Sequence, residues 1–359
     1  MQNFDEYIRQ GEPSQKEKAL IWQTAIGLQD VDGLKPSDYL IETARENIED
    51  KITINEVQQR IDSYYRQQSN QEKTDTARTE EADKVSARIT EILSNNTFSF
   101  SPLEYIEIHR RLFTGIYKFA GVIRDYNITK NEWALKGQTV LYSEFNLIRQ
   151  TLDYDFVQEK QFNYKTVDYI QSIQHIAKFI SGIWQIHAFG EGNTRTTAVF
   201  AIKYLRSFGF EIDNNLFAEH SRYFRNALVR ANFNDLKNNI HATTEYLMHF
   251  FGNLLLNENN ILKNRELLVG WKNGQHFQSA KNKDNELSKS NICTLNCTLE
   301  ERFVLEFLNI NPKATQKDIA AHIKKSERTV KTITSNLQQK NLLERHNGKR
   351  DGYWVVKKE

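Results

Sequence analysis

Apolar residues recur at three- and four-residue spacing along most of the chain, a pattern that predicts a mainly α-helical fold. Two of these runs are strongly apolar, and they flank a short polar segment at residues 187–195. We expect both runs to be buried helices and the segment between them to be the loop that joins them. The predicted buried positions are Ile170, Ile173, Ile176, Ala177, Ile180 and Trp184 before the loop, and Ala198, Ala201, Ile202, Leu205 and Phe208 after it.

The periodicity changes at two places. Between residues 126 and 142, apolar and polar residues alternate around Gly137, which predicts a small β-hairpin. From about residue 257 to 296 the periodicity is lost and the composition is that of a linker. Three short helices and two apolar strands are predicted after it. We therefore predict four regions: an N-terminal helical segment (1–95), a helical core (96–265), a linker (266–298) and a C-terminal helix-turn-helix unit with two strands (299–359).

The composition indicates a globular protein. Hydrophobic residues make up 39% and charged residues 26%, as in an ordinary globular protein. The sequence contains no apolar run long enough to span a membrane, and its first residues do not resemble a signal peptide. Cys293 and Cys297 are the only cysteines, and their spacing is a poor zinc site. We expect a cytoplasmic protein without a membrane partner.

The net charge of +2 conceals an asymmetry. Residues 299–359 contain 13 Lys and Arg against 8 Asp and Glu, which leaves 35 against 38 for the rest of the chain. Only the C-terminal region is basic. This predicts a separate unit there with a polyanionic partner such as DNA.

The polar loop (residues 187–195) carries the candidate chemistry. The first amides of a helix lack intrahelical partners and attract phosphate, and Gly190 and Gly192 would let the backbone approach a ligand closely. Arg195 has a guanidinium suited to phosphate, and Glu191 could hold Mg²⁺ beside it. His187 could act as a general base near neutral pH.

The polar loop resembles the signature of Fic-domain proteins, His-x-Phe-x-Asp/Glu-Gly-Asn-Gly/Lys-Arg-x-x-Arg. Six residues match it: His187, Phe189, Glu191, Gly192, Asn193 and Arg195. Thr194 stands where Gly or Lys is usual, and Ala198 stands where the second Arg is usual. The resemblance implies a Fic-type helical core that transfers AMP from ATP to a hydroxyl of a target protein. The departures leave open transfer of another phosphate-linked group.

The resemblance also implies a role for each residue. His187 would deprotonate the target hydroxyl, and Glu191 would hold Mg²⁺. The predicted ATP site comprises Gly190, Glu191, Gly192, Asn193, Thr194 and Arg195, with Tyr223 and Asn226 as candidates for the adenine pocket. Outside the polar loop, we interpret His109 as a packed helix residue rather than a catalyst.

Two further segments resemble parts of Fic proteins. Residues 126–142, called here the flap segment, would bind the target's backbone in extended form, with Ile128, Trp133 and Leu135 as contact residues. The alternative is that its aromatic residues pack in the core. Asp32 and Gly33 correspond to the Glu-Gly of an inhibitory helical module that pairs with the signature arginine. The alternative is a helix-ending turn without a regulatory role.

The order of the C-terminal elements resembles a winged helix-turn-helix. The recognition helix would present Arg328, Thr329, Lys331 and Ser335 to DNA, and Lys349 and Arg350 would lie in the wing near phosphate. Winged helices also dock proteins, and that alternative stays open. A second hypothesis for the whole chain is a DNA-binding transcription regulator with a nucleotide-sensing pocket. Assembly as a homodimer is left open.

Overall fold

A computed structural model describes residues 4–68, 73–210, 212, 215–271, 299–323, 325–347 and 352–357. Within these ranges the protein is mainly helical, as predicted, with one small antiparallel sheet of two strands. The helices are α1 (Asp5–Gln10), α2 (Pro13–Gly27), α3 (Asp38–Ile48), α4 (Ile54–Gln68), α5 (Lys73–Ser94), α6 (Pro102–Phe113), α7 (Ile148–Gln161), α8 (Tyr169–Ile186), α9 (Asn193–Ser207), α10 (Asn215–Glu219), α11 (Ser221–Ala231), α12 (Glu245–Phe251), α13 (Asn264–Leu267), α14 (Leu299–Ile310), α15 (Gln316–Ile323) and α16 (Glu327–Gln339). The strands are β1 (Leu343–His346) and β2 (Tyr353–Val356).

The N-terminal helices pack around the long helix α5. α2 lies against α5 and buries Trp22, whose indole Nε1 donates to Asn47 Oδ1 of α3 at 3.0 Å. Ser37 caps α3 by accepting a hydrogen bond from the Leu40 amide at 3.0 Å. The Ser37 amide in turn donates to the buried carboxylate of Asp83 on α5 at 2.8 Å. A short 3₁₀ helix (Leu28–Asp32) follows α2 and ends at Gly33, whose φ is +66°.

The two apolar runs form α8 and α9, which lie at the centre of the main core. Asp168 and Gln171 form a capping box that starts α8, because each side chain bonds the other residue's amide. The predicted burial is correct for most positions. Ile170 is wrong, since it lies in the first turn of α8 and is half exposed. α9 is buried from Asn193 to Leu205.

The flap segment (126–142) does not form the predicted β-hairpin. It contains a 3₁₀ helix at Trp133–Leu135 and a tight turn, closed by the Glu132 amide, which donates to Gln138 O at 2.9 Å. Lys136 and Gly137 both adopt positive φ, and the 3₁₀ helix just before them occupies the residues that a first strand would need. Burial of Ala134 and Leu135 holds this turn against the core.

The C-terminal unit has three helices followed by the hairpin of β1 and β2, in the order predicted. Leu343 pairs with Val356 and His346 with Tyr353. The indole of Trp354 donates to Ala314 O at 3.0 Å and closes this unit's own apolar cluster. Most of the predicted linker, with Cys293 and Cys297, lies outside the described residues, as do Lys349 and Arg350.

None of the helices in the described ranges has both the length and the apolar character needed to cross a membrane.

Candidate active site

The polar loop is shaped by two left-handed backbone positions. His187 ends α8 with φ +51°, and Gly192 precedes α9 with φ +78°. A Cβ on Gly192 would lie 2.4 Å from the Phe113 ring, and one on Gly190 would lie 2.7 Å from the Tyr126 hydroxyl. Gly192 therefore requires glycine, for space beside the buried Phe113 ring and for backbone conformation, whereas a Cβ at Gly190 would displace the end of the half-exposed Tyr126 side chain. The loop joins the end of α8, at His187, to the first amides of α9.

Side chains from within the segment brace the loop. The Asn193 amide group exchanges two hydrogen bonds with the Phe189 backbone, at 3.0 Å and 2.7 Å. Thr194 Oγ1 accepts a hydrogen bond from the indole of Trp184 at 3.0 Å. Both side chains are buried. Their side-chain polar atoms therefore hold the loop, and contact of Asn193 and Thr194 with ATP through their backbone amides stays a prediction.

His187 is enclosed by aromatic rings and is only 5% exposed. The Tyr142 ring lies 4.2 Å from its imidazole and the Trp184 ring 5.6 Å, centroid to centroid. Burial, followed by the charges of Lys130, Arg124 and Arg225, lowers the pKa of His187 to about 3. Its Nδ1 atom finds no hydrogen-bond partner in the described part of the chain. The ring is thus neutral, the form that a general base needs, but its pKa lies far below the near-neutral value predicted from the sequence, so the buried ring is a weaker base than expected.

Arg195 is the largest buried charge at the site, with a side chain 1% exposed. Its Nε lies 2.9 Å from Asp32 Oδ2, an ionic contact without the geometry of a hydrogen bond. The other two nitrogens donate to partners on three different segments. These partners are Gln29 Oε1 at 3.1 Å, Glu81 Oε1 at 2.6 Å and the Tyr117 hydroxyl at 3.2 Å. Every nitrogen of the guanidinium therefore has a partner within the chain.

The groups around Arg195 keep its guanidinium protonated. Burial acts to lower the pKa of the Arg195 guanidinium, but Asp32, Tyr117 and Glu81 together raise it above its ordinary value. The Phe113 ring lies 4.8 Å from the guanidinium carbon and covers it. Sequence reasoning found Asp32 but missed Glu81 and Tyr117, because they lie on separate segments and follow no motif.

Asp32 also connects the site to the flap segment. Its Oδ1 accepts from Arg225 at 3.3 Å, and Arg225 pairs with Glu132 at 3.1 Å. Glu132 Oε1 in turn accepts from the hydroxyl of Tyr142 at 3.0 Å. A continuous set of contacts therefore runs from the Leu28–Asp32 helix to the ring that covers His187. Gly33, predicted with Asp32, ends that helix and leaves its carbonyl 3.4 Å from Arg78.

Glu191 is the predicted Mg²⁺ ligand, and its side chain is 55% exposed. Its carboxylate contacts the Lys130 ammonium of the flap segment. Within the described ranges, no group of three or more His, Cys, Asp or Glu is arranged to hold a metal. A single carboxylate still suits Mg²⁺, which commonly takes one or two protein ligands together with phosphate oxygens. The donor chemistry therefore fits an ion that arrives with a polyphosphate.

Two cavities adjoin the charged groups around Asp32, and His187 lines neither of them. One has a volume of about 440 Å³ and is lined by residues that include Asp32, Glu81, Glu191 and Arg195. The second, of about 430 Å³, is lined by residues that include Asp30, Glu132, Trp133, Arg222, Asn226 and Asn264. Asn226 lines the second cavity and donates to Asn264 at 2.7 Å, and its place in an adenine pocket stays a prediction. Tyr223 is buried in the core, so its predicted contact with adenine is corrected.

The three predicted contact residues of the flap segment differ in their exposure to solvent. Trp133 is 54% exposed and lines the second cavity. Ile128 is half-buried. Leu135 is fully buried, so its predicted contact with a target is wrong. Ala198, which occupies the position of the second signature arginine, is also fully buried.

Residues 99–205 match the model of the Fic/DOC family. The matched range includes α6 to α8, the polar loop and most of α9, and it suggests a Fic-type transferase. Fic proteins act on protein targets. No curated protein matches the chain.

The buried imidazole of His187 predicts a loss of stability in acid. Its pKa is about 3 in the folded chain and 6.5 when unperturbed, so the unfolded chain takes up the proton first as the pH falls. The stability that neutral His187 contributes is complete above pH 6.5 and is lost progressively between pH 6.5 and 3. The expected loss between neutrality and pH 5 is about 2 kcal/mol.

Urea unfolding followed by tryptophan fluorescence checks this, with wild type and His187→Ala compared from pH 7 to 5. The free energy of unfolding of wild type should fall by about 2 kcal/mol more than that of the variant. His241→Ala, which changes an exposed histidine, should keep the wild-type pH dependence. Parallel pH profiles for wild type and His187→Ala would contradict the burial of a neutral ring.

Proposed function

We propose that this protein transfers AMP from ATP to a Ser, Thr or Tyr hydroxyl of a target protein. The observation that supports this most is the convergence of three groups on one loop. They are a neutral imidazole at His187, the free amides that begin α9, and the buried guanidinium of Arg195. A base, an anion hole and a phosphate ligand are the groups that phosphoryl-type transfer needs.

In the proposed reaction, His187 takes the proton from the target hydroxyl. The bond from that oxygen to the α-phosphorus forms while the bond from the phosphorus to the pyrophosphate oxygen breaks, and pyrophosphate leaves. The amides at the start of α9 stabilise charge on the α-phosphate, and Arg195 binds the outer phosphates. Mg²⁺ held by Glu191 would supply positive charge to the phosphate oxygens.

We propose further that Asp32 inhibits this reaction. Its carboxylate lies 2.9 Å from Arg195 Nε, where it takes up a guanidinium nitrogen that the outer phosphates would need. Asp is one methylene shorter than the Glu of the inhibitory module it resembles. Asp32 still reaches Arg195 despite its shorter side chain, because the Leu28–Asp32 helix lies directly against α9. Release of this turn would remove the Asp32 carboxylate from both arginines, leaving Arg195 with Glu81 and Tyr117 and Arg225 with Glu132.

Ala198 removes one expected phosphate contact, which gives the transferred group a second candidate. Transfer of another phosphate-linked group is the alternative. The added mass separates the two, at about 329 Da for AMP and about 80 Da for phosphate.

Loss of the general base tests the reaction. His187→Ala should lower the rate of protein labelling by at least about a hundredfold, the usual contribution of a positioned base. The measurement is incorporation of label from ATP with Mg²⁺ into the protein itself or an added extract, followed by mass spectrometry of the modified peptide. Equal labelling by wild type and His187→Ala would refute the proposed chemistry.

Removal of the inhibitory carboxylate tests the regulation. Asp32→Ala should raise the labelling rate about tenfold or more, if the lost contact held back about 1.4 kcal/mol of ATP binding. Asp30→Ala is the matched control. Asp30 lies in the same turn but pairs with the exposed Arg222 rather than with Arg195. Similar rates for the two variants would contradict a specific role for Asp32.

For residues 299–359 we propose a winged helix-turn-helix that binds DNA. α16 exposes Arg328, Lys331 and Ser335 along one face, while Thr329 is half-buried beside its capping residue Ser326. The basic surplus of this region suits a phosphate backbone. Protein docking through the same face is the alternative.

DNA binding predicts a salt effect. The double substitution Arg328→Ala with Lys331→Ala should reduce the slope of log affinity against log salt by about 2, for two lost phosphate contacts. Gel shifts with a fragment from upstream of the protein's own gene measure this, with and without ATP. Lys313→Ala, an exposed lysine between α14 and α15, is the control. Unchanged affinity and slope in the double variant would favour protein docking.

A further inference from the structure

His109 connects the polar loop to a different part of the fold. It lies on α6, fully buried, and both of its ring nitrogens have backbone partners. Nδ1 accepts a hydrogen bond from the Gly121 amide at 2.9 Å. Nε2 lies 3.0 Å from the carbonyl oxygen of Glu191. The prediction that His109 is a packed helix residue is therefore incomplete.

The two partners fix the tautomer of the ring. An amide can only donate, so the Nδ1 atom that faces Gly121 carries no hydrogen. The hydrogen of the neutral ring is then on Nε2, where it is donated to the Glu191 carbonyl. The ring cannot readily turn away, because it stacks on Phe189 at 3.7 Å with an angle of 10° between the planes.

The orientation of one carbonyl determines that of the next amide. In a trans peptide, the C=O of Glu191 and the N–H of Gly192 point in opposite directions. Because the carbonyl is held toward His109, the Gly192 amide must face away from it. Within the described residues this amide has no acceptor in the chain.

We propose that His109 is a positioning residue that sets the anion hole, by holding the Glu191–Gly192 peptide so that the Gly192 amide faces the phosphate. This rests on the proposed function, since it assigns how that site binds ATP. His109 does not touch the reacting atoms. It acts through the backbone of the residue whose carboxylate is the candidate Mg²⁺ ligand.

The surrounding aromatic cluster supports this role over plain packing. Phe113 lies 4.8 Å from the His109 ring and covers the Arg195 guanidinium at the same distance. The Phe113 ring also leaves no room for a side chain at residue 192. A buried imidazole needs hydrogen-bond partners whatever its role, so it is the identity of the two partners that distinguishes His109. Here one nitrogen holds the polar loop and the other holds the turn at Gly121.

Two substitutions of His109 each keep one of its two hydrogen bonds and remove the other. In His109→Asn, the side-chain oxygen can replace Nδ1 and keep the bond to Gly121, but nothing reaches Glu191. In His109→Gln, the terminal amide can replace Nε2 and keep the bond to Glu191, while the bond to Gly121 is lost. Both variants lose one buried hydrogen bond and part of the ring packing, so their melting temperatures should fall by similar amounts.

The measurement is the Kd of ATP with Mg²⁺ by calorimetry, in the full chain carrying Asp32→Ala. His109→Asn should weaken binding about tenfold, and His109→Gln should recover most of that affinity. Tyr105→Phe is the packing control, because it removes a buried hydrogen bond to Thr197 (2.9 Å) and keeps the ring that stacks on Phe189. It should lower the melting temperature and leave the Kd unchanged.

Equal Kd values for the Asn and Gln variants would overturn the proposal, as would failure of the Asp32→Ala parent to bind ATP. Binding of ATP without transfer to protein refutes only the proposed reaction. If the Asn variant does not fold, ¹⁵N-histidine spectra of the unsubstituted chain decide the question. The signal of His109 is the one that is absent from the spectrum of His109→Gln. In the unsubstituted chain this signal should show the Nε2–H tautomer, and an Nδ1–H tautomer would overturn the proposal.

Discussion

The site depends on the burial of one guanidinium. A charge taken out of water is costly unless it is paired and hydrogen-bonded, so Arg195 at the start of α9 requires partners close around it. Glu81 and Tyr117 supply two of them, and Gln29 and Asp32 supply the others. Three of these four belong to the N-terminal helices and the turn that follows α2. The need to neutralise one arginine thus ties the N-terminal segment to the helix that carries the polar loop.

The same arrangement gives the proposed inhibition a physical basis. Asp32 is held at the site by two arginines, and a polyphosphate would offer those arginines the same kind of charge. The two ligands therefore compete for one set of cations. Because Arg225 also pairs with Glu132, displacement of Asp32 changes the charge balance beside Tyr142, the ring that covers His187. Inhibition by Asp32 and access of a target hydroxyl to His187 would then be coupled through these direct contacts.

The polar loop itself is fixed from both sides. Asn193 and Thr194 brace it from within, and His109 holds its Glu191 carbonyl from α6. A preorganised loop does not need to reorder its amides when charge develops on a phosphate, which is the general advantage of such sites. The side chains that the signature suggests as ligands thus include two that act on the loop instead.

The sequence alone determined the helical character of the core, the buried faces of α8 and α9, and the place of the candidate base, because apolar periodicity and a local motif report on neighbours along the chain. It also indicated Asp32, through a local resemblance. It did not determine that residues 126–142 form a turn rather than a hairpin, since the apolar residues there, including Leu135, Val140 and Tyr142, are buried without strand pairing. Nor could it find Glu81, Tyr117 or the role of His109. Those contacts join residues far apart in the chain, and only tertiary packing decides which polar groups meet around a buried charge.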